Sequence, residues 1–276
     1  MARITVLVEN TATGQGLLAE HGVSFWIERN GTRVLFDTGQ GYVLGNNAER
    51  LNIDLRTADA LVLSHGHFDH TGGLAEVLEQ AAATVFVHPH AFAPRYACAP
   101  GLPARDIGMP KLDEAAVREK TEVVWTEGPT EVAAGLFATG RVPRQTAFED
   151  PGGPFFLDPE GNTPDTFPDD QALYFDSRHG TVIVLGCAHA GVINTVEYVR
   201  TLTGNRPVFM VLGGMHLVSA SRERMDRTVE AFRRIGVRHL LAGHCTGFPA
   251  MARLWQEFPD QYRACPTGTV LEIADA

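Results

Sequence analysis

Between Ser64 and Leu74 the chain reads Ser-His-Gly-His-Phe-Asp-His-Thr-Gly-Gly-Leu, so three imidazoles and one carboxylate fall within six residues. No other feature narrows the fold as much, because the backbone on either side has to aim these groups at common points. Ahead of them Ala60 to Leu63 is an apolar run that reads as a short buried strand. Behind them a helix is expected from Gly72 to about Ala82, with Leu74, Val77 and Leu78 on one face. In an extended segment alternate residues share a face, so His65 and His67 can converge on one metal ion. Asp69 and His70 sit where the chain turns into the helix and can point to a second ion. Imidazole with carboxylate suits zinc, manganese or iron, whereas calcium would want oxygen alone. A polar loop whose histidines merely cap a helix is the plainer alternative, and three histidines at this density speak against it.

The rest of the chain supplies a scaffold of alternating strands and helices. Ile4 to Val8 and Ser24 to Glu28 read as strands. Asn30-Gly31 is a hairpin turn, and Val34-Leu35-Phe36 returns as a buried strand ending at Asp37. A helix around Tyr42 to Leu51 follows. Further strands are expected at 84–87, 121–126, 131–138, 172–176, 181–186, 207–212, 237–241 and 268–273, with helices at 191–203, 219–235 and 248–257. Residues 91–112 read as an irregular surface excursion. Residues 145–170, rich in Pro, Gly and Asp, read as a long loop of the kind that often forms a lid. The pattern predicts sheets covered by helices, an α/β architecture in one domain spanning 1–276.

Composition sets limits on what such a site can serve. Charged residues make up 20% of the 276 residues and the formal net charge is −10, without any run of Lys or Arg. A surface of that sign repels a phosphodiester polymer, so the expected partner is a small molecule and not nucleic acid. No window approaches the roughly 18 apolar residues of a membrane span, and the N-terminus lacks a leader's apolar core. Cys98, Cys187, Cys245 and Cys265 are scattered, which favours free thiols and a cytoplasmic setting. Self-association as a homo-oligomer stays open.

The motif from Ser64 to Leu74 resembles the signature of the metallo-β-lactamase superfamily, and Leu35-Phe-Asp-Thr-Gly39 resembles its preceding strand-end aspartate. Within that superfamily, Glu20-His-Gly22, Gly140-Arg-Val-Pro-Arg144, Gly186-Cys-Ala-His-Ala-Gly-Val-Ile-Asn194, Leu212-Gly-Gly-Met-His-Leu217 and Gly243-His-Cys-Thr-Gly247 are similar to the dihydropterin–ribofuranosylaminobenzene phosphate synthase-like branch. The resemblance implies a four-layer αββα sandwich and three further ligands downstream: a histidine, a bridging aspartate and a final histidine. Arg141 stands where the first is usual, and Cys187 where the aspartate is expected. His189, two residues on, is read as the replacement ligand, and His244 as the final one. Cys187 is read as a small buried residue, with a thiolate ligand as the alternative.

Around this core, Asp37 is expected to orient a ligand histidine through a hydrogen bond. His216 is a substrate-facing and, with Asp69, catalytic candidate. His21 is a weaker candidate for the pocket. Arg141 and Arg144 suit a phosphate or carboxylate on the substrate, or else pair with Glu149 and Asp150. The chemistry implied is hydrolysis of a small anionic ester or phosphodiester by a metal-bound hydroxide on two divalent ions, zinc before manganese or iron. The alternatives are a synthase or lyase acting on a pterin or phosphoribosyl compound, and a ligand-binding or redox protein.

Overall fold

Successive residues of the central strands are apolar on both sides, and this dictates the layering. Phe25, Ile27, Val34, Phe36, Ala60 and Val62 enter one buried cluster, while the interleaved Trp26, Leu35 and Leu61 enter another. Likewise Leu173, Phe175, Val182 and Val184 join the first cluster, and Ala172, Tyr174, Ile183 and Leu185 a third. Side chains alternate across a strand, so each sheet must be covered on both faces.

The computed structural model describes residues 1–275 and shows how this is met. One seven-stranded sheet has the order Val270–Ile273, Ala2–Val8, Ser24–Arg29, Thr32–Phe36, Ala60–Val62, Thr84–Val87, Val123–Trp125. The other runs Tyr262–Ala264, His239–Gly243, Val208–Gly214, Gly180–Leu185, Ala172–Ser177, Leu136–Ala138, Thr130–Ala133. The two sheets share the first cluster between them. Helices Leu44–Arg50, Leu74–Gln80 and Glu114–Lys120 cover the outside of one sheet, and Val192–Leu202, Arg222–Ile235 and Phe248–Glu257 the outside of the other. This is the αββα sandwich. Among the described residues no helix is long and apolar enough to cross a membrane.

Several local expectations need correction. The strand expected at 131–138 is a hairpin, Thr130–Ala133 and Leu136–Ala138, because Gly135 takes φ +71° between them. The helix Glu114–Lys120, capped by Asp113 Oδ1 on Ala116 N at 2.8 Å, and the edge strand Tyr262–Ala264 were not anticipated. Residues 91–112 are not simply irregular. Tyr96–Ala97 pairs with Arg105–Asp106 on one side and with Phe155–Phe156 on the other, tying this stretch to the 145–170 loop.

Parallel pairing decides where chemistry can sit. Thr32–Phe36, Ala60–Val62 and Thr84–Val87 run parallel, as do Gly180–Leu185, Val208–Gly214 and His239–Gly243. Their carboxyl ends carry Asp37, Ser64-His65, Cys187, Met215-His216 and His244, the edge of an α/β sheet where ligands gather. The sheets close tightly there: a Cβ on Gly186 would lie 2.1 Å from Ser64 Oγ, so only glycine lets the two edges meet.

Candidate metal centre

Each strand end bends abruptly to present its side chain. Asp37, Ala188, His216 and His244 all have φ between +44° and +60°, a region non-glycine residues rarely occupy. Four such residues at these strand ends mark strain held in place by the surrounding packing. His216 and His244 line a cavity of about 280 Å³, and Ala188 stands between Cys187 and His189, which line it too. A larger surface recess of about 510 Å³ beside Phe148 and Arg224 holds no imidazole, so the chemistry belongs to the smaller one.

Hydrogen bonds behind the rings determine which nitrogen each histidine turns inward. Asp37, fully buried, accepts from Ser64 N and Ser64 Oγ at 2.7 Å each and from His70 Nδ1 at 2.7 Å. Ser64 Oγ spends its only hydrogen on Asp37, so His65 Nδ1, 2.9 Å away, must donate to it. His189 Nδ1 donates to the Pro151 carbonyl at 2.9 Å. Asn10 Oδ1 accepts from the Gly22 backbone at 3.2 Å, which orients the amide and makes His244 Nδ1, 2.9 Å away, a donor as well. With Nδ1 the donor on His65, His70, His189 and His244, each of these four rings turns its Nε2 toward the interior. His65, His67, His189 and His244 are held neutral, chiefly by burial, with neighbouring charged and imidazole groups adding to or opposing the effect.

The ring nitrogens converge as two groups. His65 Nε2 lies 3.0 Å from His67 Nδ1, and His65, His67 and His189 offer donor atoms within 4.8 Å of one another. The His189 Nε2 atom is buried without any partner. In the second group, His70 Nε2 and His244 Nε2 face each other at 3.2 Å, with Asp69 Oδ2 at 3.9 and 3.4 Å from them. Two Nε2 atoms facing each other at this distance need positive charge between them, as a proton on one ring or as a metal ion bound by both. A tetrahedral ion bound at roughly 2.0–2.1 Å would set its nitrogens about 3.3 Å apart, close to what is seen. Burial pulls the His70 pKa down, but the Asp37 and Asp69 carboxylates outweigh it and raise it to about 9. Burial opposes ionisation of Asp69, yet His70, His21 and His244 hold its pKa well below the usual carboxylate range. The pocket calls for positive charge, and its donor set fits a divalent metal.

The structure brings His65, His67, Asp69, His70, His189 and His244 together, with Asp37 behind His70. His216 lines the cavity, its ring 4.1 Å from that of His189 and its Nδ1 unpartnered. His21, its side chain 57% exposed, stands at the mouth with Nε2 3.1 Å from Asp69 Oδ2. Cys187 is buried, but it does more than fill space: its thiol turns into the cavity, Sγ 3.1 Å from His70 Nε2. Arg141 and Arg144 are not brought to the cavity. Both are exposed, and Arg144 reaches the backbone carbonyls of His189 and Glu149 at 3.0 and 3.4 Å, bracing the loop. The guanidinium at the cavity is Arg105, lying 5.8 Å over the Phe68 ring.

Other contributors lie outside the sequence-level reading. Glu9 Oε1 accepts from His244 N at 2.6 Å, and Asn10 follows it directly. Both come just after the strand Ala2–Val8, the same strand-end signal that points to Asp37. Asp169 accepts from Gly66 N at 2.9 Å and from buried Arg95 at 2.6 Å, steadying the turn between His65 and His67. Phe167 stacks on His189 at 4.0 Å and 7°. The 145–170 loop is therefore a packed wall of the centre, not a free flap.

Comparison with known proteins agrees with this geometry. Residues 18–204 match the sequence profile described as the metallo-beta-lactamase superfamily. A 7,8-dihydropterin-6-methyl-4-(beta-D-ribofuranosyl)-aminobenzene-5'-phosphate synthase of Methanocaldococcus jannaschii is 30% identical over 266 residues, covering 92% of this chain and 90% of that protein. An uncharacterized protein of the same organism is 33% identical over 255 residues, covering 92% and 94%. Among solved structures, Tm1679, described as a metal-dependent hydrolase of the beta-lactamase superfamily, is similar with a TM-score of 0.86 and 31% identity over 100% of both chains.

Proposed function

The chain belongs to the metallo-beta-lactamase superfamily, and from that premise we propose that it is a metal-dependent hydrolase of a small anionic ester or phosphodiester. Two divalent cations would serve it, and zinc suits the donors best. His65, His67 and His189 would hold one, and Asp69, His70 and His244 the other. The observation that carries this reading is the set of four imidazoles, His65, His70, His189 and His244, whose Nδ1 partners turn each Nε2 toward the interior. When bound, such cations supply Lewis acidity, polarising an ester or phosphoryl oxygen and making water acidic near neutral pH.

The protein's own residues do the rest. Asp69 stays ionised and is kept in place by His21 Nε2 at 3.1 Å. The Arg105 guanidinium at the mouth supplies the charge for an anionic substrate group, the task expected of Arg141 and Arg144. Phe155 and Ile107 form an apolar wall that excludes bulk water. Burial lowers the His216 pKa to about 4, so this ring is neutral at physiological pH and would present an uncharged imidazole to substrate in the cavity it lines. A volume of about 280 Å³ suits the reacting end of a small molecule, and the −10 net charge argues for a free cytoplasmic metabolite over nucleic acid.

A second reading is condensation of a pterin with a phosphoribosyl compound, supported by the printed activity of the 30% identical relative. Labelled water separates the two. Metal-loaded protein is incubated in oxygen-18 water with a panel of small esters and phosphodiesters, and separately with a dihydropterin and a ribosyl aminobenzene phosphate. Solvent oxygen in a cleaved product is the expected result. A coupled product with a new carbon–carbon or carbon–nitrogen bond, and no cleavage, would overturn hydrolysis.

A further inference from the structure

Arg95 is among the largest fully buried side chains, yet it takes no part in lining the cavity. Its charge is matched inside the protein: Nη2 donates to Asp169 Oδ1 at 2.6 Å, and Nε stands 3.0 Å from Asp165 Oδ2. Both carboxylates are buried as well. Taking three charges out of water is costly, and apolar side chains of equal volume often fill such a space at least as stably. What this triad contributes is geometry, and its two arms both end on the three-histidine group.

The first arm runs through Asp169, whose Oδ2 accepts from Gly66 N at 2.9 Å in the turn between His65 and His67. The second runs through Asp165, whose Oδ1 accepts from Phe167 N at 2.8 Å. Phe167 has φ +51°, a conformation that a bulky residue rarely adopts, so contacts from outside have to hold it. Its ring is thereby laid on His189 at 4.0 Å and 7°, and set at 86° to the His67 ring at 5.4 Å. The Arg95 guanidinium lies 5.4 Å from the centre of the same phenyl ring. Among the described residues, neither Arg95 nor these two carboxylates hydrogen-bond the other group. The partners behind His70 and His244 are Asp37, Glu9 and Asn10.

We infer that Arg95 is a positioning residue for the His65, His67 and His189 half of the centre, an inference that rests on the two-cation reading above. Its planar fork holds Asp165 and Asp169 at a fixed spacing, which the single point charge of a lysine cannot do. Through them it sets the turn that aims His65 and His67 and the ring that seats His189.

Metal-free protein titrated with zinc and with cobalt(II) against a competing chelator tests this, in wild type, Arg95→Lys and Asp169→Asn. The cobalt absorption lost in His189→Ala marks the three-histidine position. Two equivalents are expected in wild type. Arg95→Lys should leave the Asp69, His70 and His244 position unchanged and weaken the other by about 10–100-fold, the usual cost of losing a group behind the ligands. A merely structural role would not give that selectivity, because general loosening weakens both positions or neither. Should Arg95→Lys fail to fold by circular dichroism, Asp169→Asn, which keeps the volume and cuts the first arm alone, decides by the same criterion. Wild-type affinity at both positions in the folded variant overturns the inference and leaves the metal reading standing, and equal weakening at both overturns it too. Wild-type protein that takes up no metal overturns the two-cation reading, and this inference with it.

Discussion

Asp37→Ala is expected to cost about 3–5 kcal/mol of stability, the range seen when one partner of a buried charged pair is removed. Asp37 is fully buried and accepts from Ser64 N, Ser64 Oγ and His70 Nδ1, all at 2.7 Å. Alanine leaves three donors facing a void, and unsatisfied buried donors carry their full desolvation cost. It also frees His70 to rotate and Ser64 Oγ to turn away from its role as acceptor for His65, so both groups of lone pairs lose their aim. Metal affinity should fall by about 10–100-fold, as when a partner behind a ligand histidine is removed. Asp37→Asn keeps the volume but presents an amide N–H to one of the three donors, so the metal should still weaken. Thermal denaturation and metal analysis check both variants; unchanged melting and metal content would show that Asp37 orients nothing.

The second large effect concerns His189, whose position follows no usual ligand spacing. His189→Ala removes one of three nitrogens from the group with His65 and His67 and leaves the group of Asp69, His70 and His244 intact. The bound metal should drop from two equivalents to one, and turnover by about 10²-fold or more, since one cation can no longer share the polarising work. The Phe167 ring, stacked at 4.0 Å on His189, loses its neighbour as well, so a modest fall in melting temperature is expected. Phe167→Ala, which removes the stack and spares the nitrogen, separates the two contributions: it should retain both equivalents. Two equivalents in purified His189→Ala would mean that this histidine is merely a satisfied loop residue.

How far such features could be read from sequence depends on how local they are. The cluster from His65 to His70 was legible because its donors occupy consecutive turns of one segment, and Asp37 because a buried strand ends on it. The layered sheets were legible because strand residues are apolar on both faces. Other contributions depend on contacts between distant residues. Glu9 meets His244 across 235 positions, and Asp169 meets Gly66 across 103. No spacing rule connects such pairs. Arg141 and Arg144 illustrate the converse. Their charge was plain, but a loop arginine's composition says nothing of its direction, and the backbone aims them outward while Arg105, in an unpromising Pro- and Ala-rich stretch, reaches the cavity. The 131–138 segment failed as a single strand on one residue: Gly135 lies within an apolar alternation, and its positive φ folds the run back on itself.

Function depends on whether those inward-facing nitrogens hold cations. Protein purified without chelator, analysed for metal content and by anomalous scattering in the crystal, addresses this directly. Two divalent cations per chain are predicted, roughly 2.0–2.1 Å from the Nε2 atoms of His65 and His189 at one position and of His70 and His244 at the other. A chain that emerges metal-free, and stays so when offered zinc, manganese or iron, would contradict it.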